Sequence, residues 1–211
     1  MSLLSEPGGR EGARYSLSEI DAQCRKAARG AGCAFGLAEE AGKAARWLSQ
    51  YGLPGAEAVS ALLSAERQCA CGGGAGPACA LRFGASCADR VRMFADGEQV
   101  TAEVAQPLVV VGILGRAAAA ARRRVALEWS GVRALCGPEG LAVDGAGGLL
   151  SENACVRIAV GTPAFLGRPA SPAGRWVEAE AWERLEAYAA RTYAPATEAS
   201  RRLGAGAAES D

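Results

Sequence analysis

Histidine is absent from the 211 residues, and lysine is nearly so, with 2 against 21 arginines. Without imidazole the chain lacks the commonest general base, the Ser-His and Cys-His nucleophile pairs, and the usual ligand of transition-metal sites. Any catalysis would rest on carboxylates, thiols, tyrosines or arginines. Charge of one sign is lacking too, since 23 basic residues balance 23 acidic ones. That leaves no basic excess to displace counterions from nucleic acid, and the longest basic run, Arg122-Arg123-Arg124, is too short to supply one. No apolar run reaches the roughly 18 residues a membrane span needs. No apolar stretch follows Leu3 and Leu4, so Met1 to Arg14 does not have the pattern of a signal peptide and is expected to be disordered. The expectation is a soluble cytoplasmic protein with its eight cysteines reduced. No nucleic-acid partner, membrane partner or cofactor is expected.

Large apolar side chains are also few. Val, Ile, Leu and Phe together number 39, against 48 alanines and 28 glycines. That supply lies near the lower edge for a globular core, but disorder also requires a large net charge. A folded chain with a thin core is expected.

Hydrophobic period sets the order of elements. Ser16 with Glu19 forms a capping box, and Leu17, Ile20 and Cys24 recur at helical spacing until Gly30 and Gly32. A second helix is expected over 37–50, with Glu39 and Lys43 paired four apart. A third starts at Pro54 and runs to about 68. Residues 71–77, Cys-Gly-Gly-Gly-Ala-Gly-Pro, read as a linker. Short strands are then expected over 90–94 and 99–104 around an Asp96-Gly97 turn, and Leu108 to Leu114 reads as a buried strand. Strands over 124–129, 132–136, 141–143 and 156–160 complete a meander. A helix over 178–193, a short one to Leu203 and a loose tail over 204–211 follow. The fold class is therefore α+β: N-terminal helices (15–70), a central, mainly antiparallel sheet (about 90–160) and C-terminal helices (178–203) packed on it. All of these belong to one domain over 15–203.

Each candidate motif also has a plainer reading. Gly112 and Gly115 after Val109 to Val111 resemble part of a dinucleotide fingerprint, but the Gly-x-Gly-x-x-Gly spacing is missing. Cys69, Cys71, Cys79 and Cys87 lack the paired Cys-x2-Cys knuckles of structural zinc, so no metal site is assigned. The run Gly72 to Gly76 lacks the lysine and hydroxyl of a phosphate loop. Arg29 beside Gly30-Ala31-Gly32 brings a guanidinium to exposed amides, a pattern suited to a carboxylate or phosphate. Arg191 and Tyr193 stand near another helix end. Glu39 and Glu40 point about 100° apart on their helix, which favours one of them, not both, as a proton acceptor.

The motifs Ser16-Leu-Ser-Glu-Ile-Asp21, Lys26-Ala-Ala-Arg-Gly-Ala-Gly32, Gly36-Leu-Ala-Glu-Glu-Ala-Gly-Lys-Ala-Ala-Arg-Trp-Leu48 and Gly52-Leu-Pro-Gly55 resemble the opening of a bacterial family, domain of unknown function 3726. Ala190-Arg-Thr-Tyr-Ala-Pro195, Glu198-Ala-Ser-Arg201 and Gly204-Ala-Gly206 are similar to its ending. The chain departs from the family at Ala34-Phe35, where an aromatic pair is usual, and at the cysteine-rich stretch 69–79. The resemblance implies a cytosolic bacterial protein and supplies no reaction. It adds Trp47, Thr192, Glu198 and Ser200 to the candidate positions.

Two functions are expected to compete. In the first, a small anionic metabolite is bound by Arg29, Gly30, Gly32, Trp47, Arg191, Thr192 and Ser200. Tyr193 and either Glu39 or Glu40 would serve any chemistry. In the second, the chain is a non-catalytic subunit or accessory protein, pairing with itself or another chain through its small-residue helices.

Overall fold

A computed structural model describes residues 11–65, 77–145 and 147–193. Its elements are those of an α+β protein, and the first helix begins where its local chemistry directs. Ser16 caps α1 (Leu17–Gly30): its hydroxyl accepts from the Glu19 amide at 3.2 Å, and the Glu19 carboxylate accepts from the Ser16 amide at 2.8 Å. The stripe Leu17, Ile20, Cys24, Ala27 and Ala28 is buried. α2 (Phe35–Gln50) packs on α1, and α3 (Gly55–Ser64) packs on α2. Burying alanines brings these helix axes close. Where even a methyl is too large, glycine appears, and a Cβ on Gly30 would collide with the Tyr188 carbonyl.

Six strands form the main sheet, in the order β2-β3-β7-β4-β5-β6. β4 (Val125–Trp129), β5 (Val132–Gly137) and β6 (Gly140–Asp144) are the expected meander. β7 (Asn153–Val160) then returns to pair with β4, giving these four strands Greek-key order. β3 (Gln99–Ala105) pairs antiparallel with β7, and the two-residue β2 (Ala78–Cys79) pairs parallel with β3.

One expectation fails instructively. Leu108 to Leu114 is not a strand; it lies within α5 (Pro107–Ala120), whose residues from Pro107 to Gly115 are all buried. α5 is packed against α2, α3 and α4 and against β4, β5 and β7 of the sheet. A helix covered on every side needs no polar face, so its sequence carries no 3.6-residue contrast and resembles a buried strand. Pro107, suited to a first helical turn, and the alanines that follow were the discriminating signals. Gly112 and Gly115 accordingly sit in mid-helix. A Cβ on Gly112 would come within 2.9 Å of Ala44, and one on Gly115 within 2.6 Å of the Trp47 ring. They make room for α2, and no phosphate-binding turn exists there.

Other differences are local. Residues 90–94 form the end of α4 (Ala80–Arg90) and the turns after it. Gly97 does take the expected turn, at φ 85°. The expected disordered start gives way at β1 (Gly12–Tyr15), which pairs antiparallel with β8 (Arg175–Glu178). α6 (Ala179–Ala190) packs on α1 and α3 beside that ribbon, and it is α4 and α5 that cover the sheet. The reason lies at the Gly30 notch and in the stack of Tyr15 on Trp182, 3.6 Å between ring centroids, which together hold α6 to the N-terminal helices. Thr192 and Tyr193 follow α6 as turn and bend. The start over 1–10, most of the 71–77 linker with Cys69 and Cys71, the short helix expected to Leu203 and the 204–211 tail lie outside the described residues. Among the described residues, no helix is long and apolar enough to cross a membrane.

Candidate functional site

The residues singled out in the sequence fall into two groups. The first gathers at the C-terminal ends of α1 and α6. Arg29 donates to the Cys33 carbonyl at 2.6 Å and lies 5.9 Å from the centre of the Phe35 ring. Arg191 lies 4.5 Å from the centre of the Tyr188 ring, and its Cβ stands beside Gly30. Gly32 makes its turn at φ 88°. Thr192 donates its hydroxyl to the Ala189 carbonyl at 2.7 Å, while the Tyr193 side chain is exposed. Ser200 and Glu198 lie outside the described residues.

The second group lines the contact of α2 with α5. Glu40 pairs with Arg116, and Glu39 pairs with Lys43 at 3.0 Å, the helical pairing its spacing implies. Trp47 is buried against Gly115 and tilted over Tyr51, 4.7 Å between ring centroids. Among the described residues, no hydrogen bond or ion pair joins Glu39 or Glu40 to Arg29, Arg191 or Tyr193. Trp47, Glu40 and Arg116 thus help dock α2 on α5, and Arg29 closes the end of its own helix.

The remaining motifs are also absorbed by packing. Arg123 donates to the Phe94 carbonyl at 2.9 Å and to Asp96 at 2.7 Å, and the Arg124 Nε donates to Glu139 at 2.6 Å. Two of the three arginines in the basic run are therefore engaged by the protein itself. Arg124 holds the Glu139 carboxyl below its ordinary range. Burial pushes the Cys24 and Cys136 thiols far up, so both remain protonated. Among the described residues, no cluster of three or more cysteines and carboxylates could hold a metal ion.

What the motifs did not single out is the outer face of the sheet. Its inner face carries Val125, Leu127, Val156 and Ile158 into the core. Alternation then turns Glu128, Arg133, Cys155 and Arg157 outward. Strand register sets Glu128 of β4 opposite both Arg133 of β5 and Arg157 of β7. Each arginine takes one oxygen of that carboxylate: Arg133 Nε lies 3.2 Å from Oε1, and Arg157 Nη2 pairs with Oε2. The arginine side chains remain 55% and 57% exposed, so their other N–H groups are open to solvent.

The β4–β5 hairpin shapes one end of this face. Ser130 (φ 42°) and Gly131 (φ 75°) both lie in the left-handed region, as a two-residue primed turn requires. Trp129 pins the hairpin by donating from Nε1 to the buried Gly148 carbonyl at 2.8 Å. Turn, arginines, Glu128 and Cys155 line a shallow, open depression of about 430 Å³. Two guanidinium groups against one carboxylate leave its lining with an excess of positive charge. Part of this was legible: a two-residue turn at Ser130-Gly131 places Arg133 beside Glu128. The position of Arg157 was not, because β7 joins β4 only after β5 and β6 have intervened.

The class this architecture defines is an α+β protein with a Greek-key sheet and an arginine-flanked outer face. Residues 15–89 match the model of a protein family of unknown function, DUF3726, so the likeness carried by the opening motifs holds over that stretch. The match spans α1, α2 and α3 and ends one residue before the end of α4, so the depression lies beyond it. No curated protein and no solved structure matches the chain.

Proposed function

We propose that this chain binds a small anionic metabolite, and that the depression flanked by Arg133 and Arg157 is where it does so. One observation carries the reading: two half-exposed guanidinium groups flank a shallow, open depression and share a single carboxylate between them. A carboxylate or phosphate there gains charge-assisted hydrogen bonds from donors that Glu128 leaves unused. Arg29 and Arg191, the anion ligands expected from the sequence, support the reading less well, because Arg29 is already committed to a backbone carbonyl and an aromatic face.

Thermal shift and calorimetry with inorganic phosphate and short carboxylates test the proposal. A stabilising anion should bind Arg133→Ala and Arg157→Ala each roughly tenfold to a hundredfold more weakly, as the loss of a charged hydrogen bond implies. Arg29→Ala should leave its affinity unchanged. Loss of binding in Arg29→Ala, with both sheet variants unaffected, would move the site to the ends of α1 and α6 and overturn the assignment.

A further inference from the structure

The depression carries more information than an excess of positive charge. Across three adjacent strands its outward residues read Arg157, Glu128, Arg133, a plus-minus-plus row. With strands spaced 4.7–4.9 Å apart, the two arginine backbones stand roughly 10 Å from each other with the carboxylate midway between them. A simple anion that engages both guanidinium groups must pass over Glu128 and meet its charge. We propose that the ligand is a short zwitterionic dicarboxylate, an acidic amino acid in chemical class. Its two carboxylates would take the free N–H groups of Arg133 and Arg157, and its ammonium would face Glu128. The inference rests on the depression being the anion site.

Each feature of the row then has a use. Glu128 attracts the ammonium and penalises a dicarboxylate that lacks one, so selectivity comes from repulsion as well as attraction. The ends of the row limit ligand length. In register, Asp144 lies beyond Arg133 and the uncharged Thr101 beyond Arg157, so a longer diacid would run its far carboxylate toward Asp144.

Calorimetry on the full chain tests this with aspartate and glutamate, with succinate and glutarate as the same skeletons without the amine, and with inorganic phosphate. The expected result is that an amino diacid binds roughly tenfold or more tightly than its deaminated partner, about the value of one charge-assisted contact. Glu128→Gln should shrink that gap by weakening the amino diacid and strengthening the plain one. If the plain diacids or phosphate bind as tightly as the amino diacids, and Arg133→Ala still weakens them, the anion site stands and this inference falls. If none of the five probes binds, or if binding ignores both Arg133→Ala and Arg157→Ala, the anion site itself falls and the inference with it.

Discussion

At the scale of single residues, small side chains and buried charge explain most of what composition made suspicious. Gly30 is the clearest case, because the Tyr188 carbonyl of α6 occupies the place a Cβ would take. Gly30→Ala must push two helices apart, and overpacking of this kind costs about 1–3 kcal/mol. Urea unfolding should show that loss, and an unchanged midpoint would mean that the helices do not approach so closely. Glu57 is the opposite case, a carboxylate buried between α1, α3 and β8. Arg175 Nη1 stands 3.8 Å from one of its oxygens, and the other oxygen has no hydrogen-bond partner. Desolvation raises its pKa above the ordinary 4.5 despite the opposing pull of Arg175. The folded state therefore holds the proton more tightly than the unfolded chain, and stability falls as pH rises from about 4.5 toward the raised value. Glu57→Gln should remove that fall, so its stability relative to the parent should improve with rising pH. Parallel stability–pH curves for the two proteins would contradict this account.

At the scale of elements, the N-terminal helices were legible because each carries a boundary signal and an apolar stripe. The Ser16–Glu19 box and the Gly52-Leu-Pro-Gly55 turn lie where the sequence puts them. The strands from β4 to β6 were legible for a similar reason, since alternation and glycine turns are local. α5 was not, because being buried on all sides erases the period that separates helix from strand. Burial on every side has a testable consequence at 109–111, where the sheet and the neighbouring helices leave no exposed position. Val109→Thr, Val110→Thr and Val111→Thr each exchange a buried methyl for a hydroxyl and should destabilise by about 1–3 kcal/mol. Unchanged thermal denaturation of any one of the three would contradict that packing.

At the scale of the whole molecule, the valines are concentrated. α5 and the inner face of the sheet hold most of them, while α2 and α3 pack on α5 from the other side and α1 packs on α2. Candidate positions taken from motifs were mostly positions of close packing or helix termination, as Trp47, Gly30 and Arg29 show. The proposed site arises from residues that are unremarkable in sequence, and Arg157 joins Glu128 and Arg133 only through long-range strand pairing. Arg157 lies 29 residues from Glu128, and nothing local in either strand announces that pairing.

Cys155 offers the most direct measurement, because its exposed thiol lines the depression. Its alkylation rate can be followed by peptide mass spectrometry with and without a bound anion. An anion seated between Arg133 and Arg157 should slow labelling of Cys155 in proportion to its occupancy and leave Cys79, on the edge strand β2 outside the depression, unchanged. An unchanged Cys155 rate at an anion concentration that saturates binding would show that the ligand lies elsewhere.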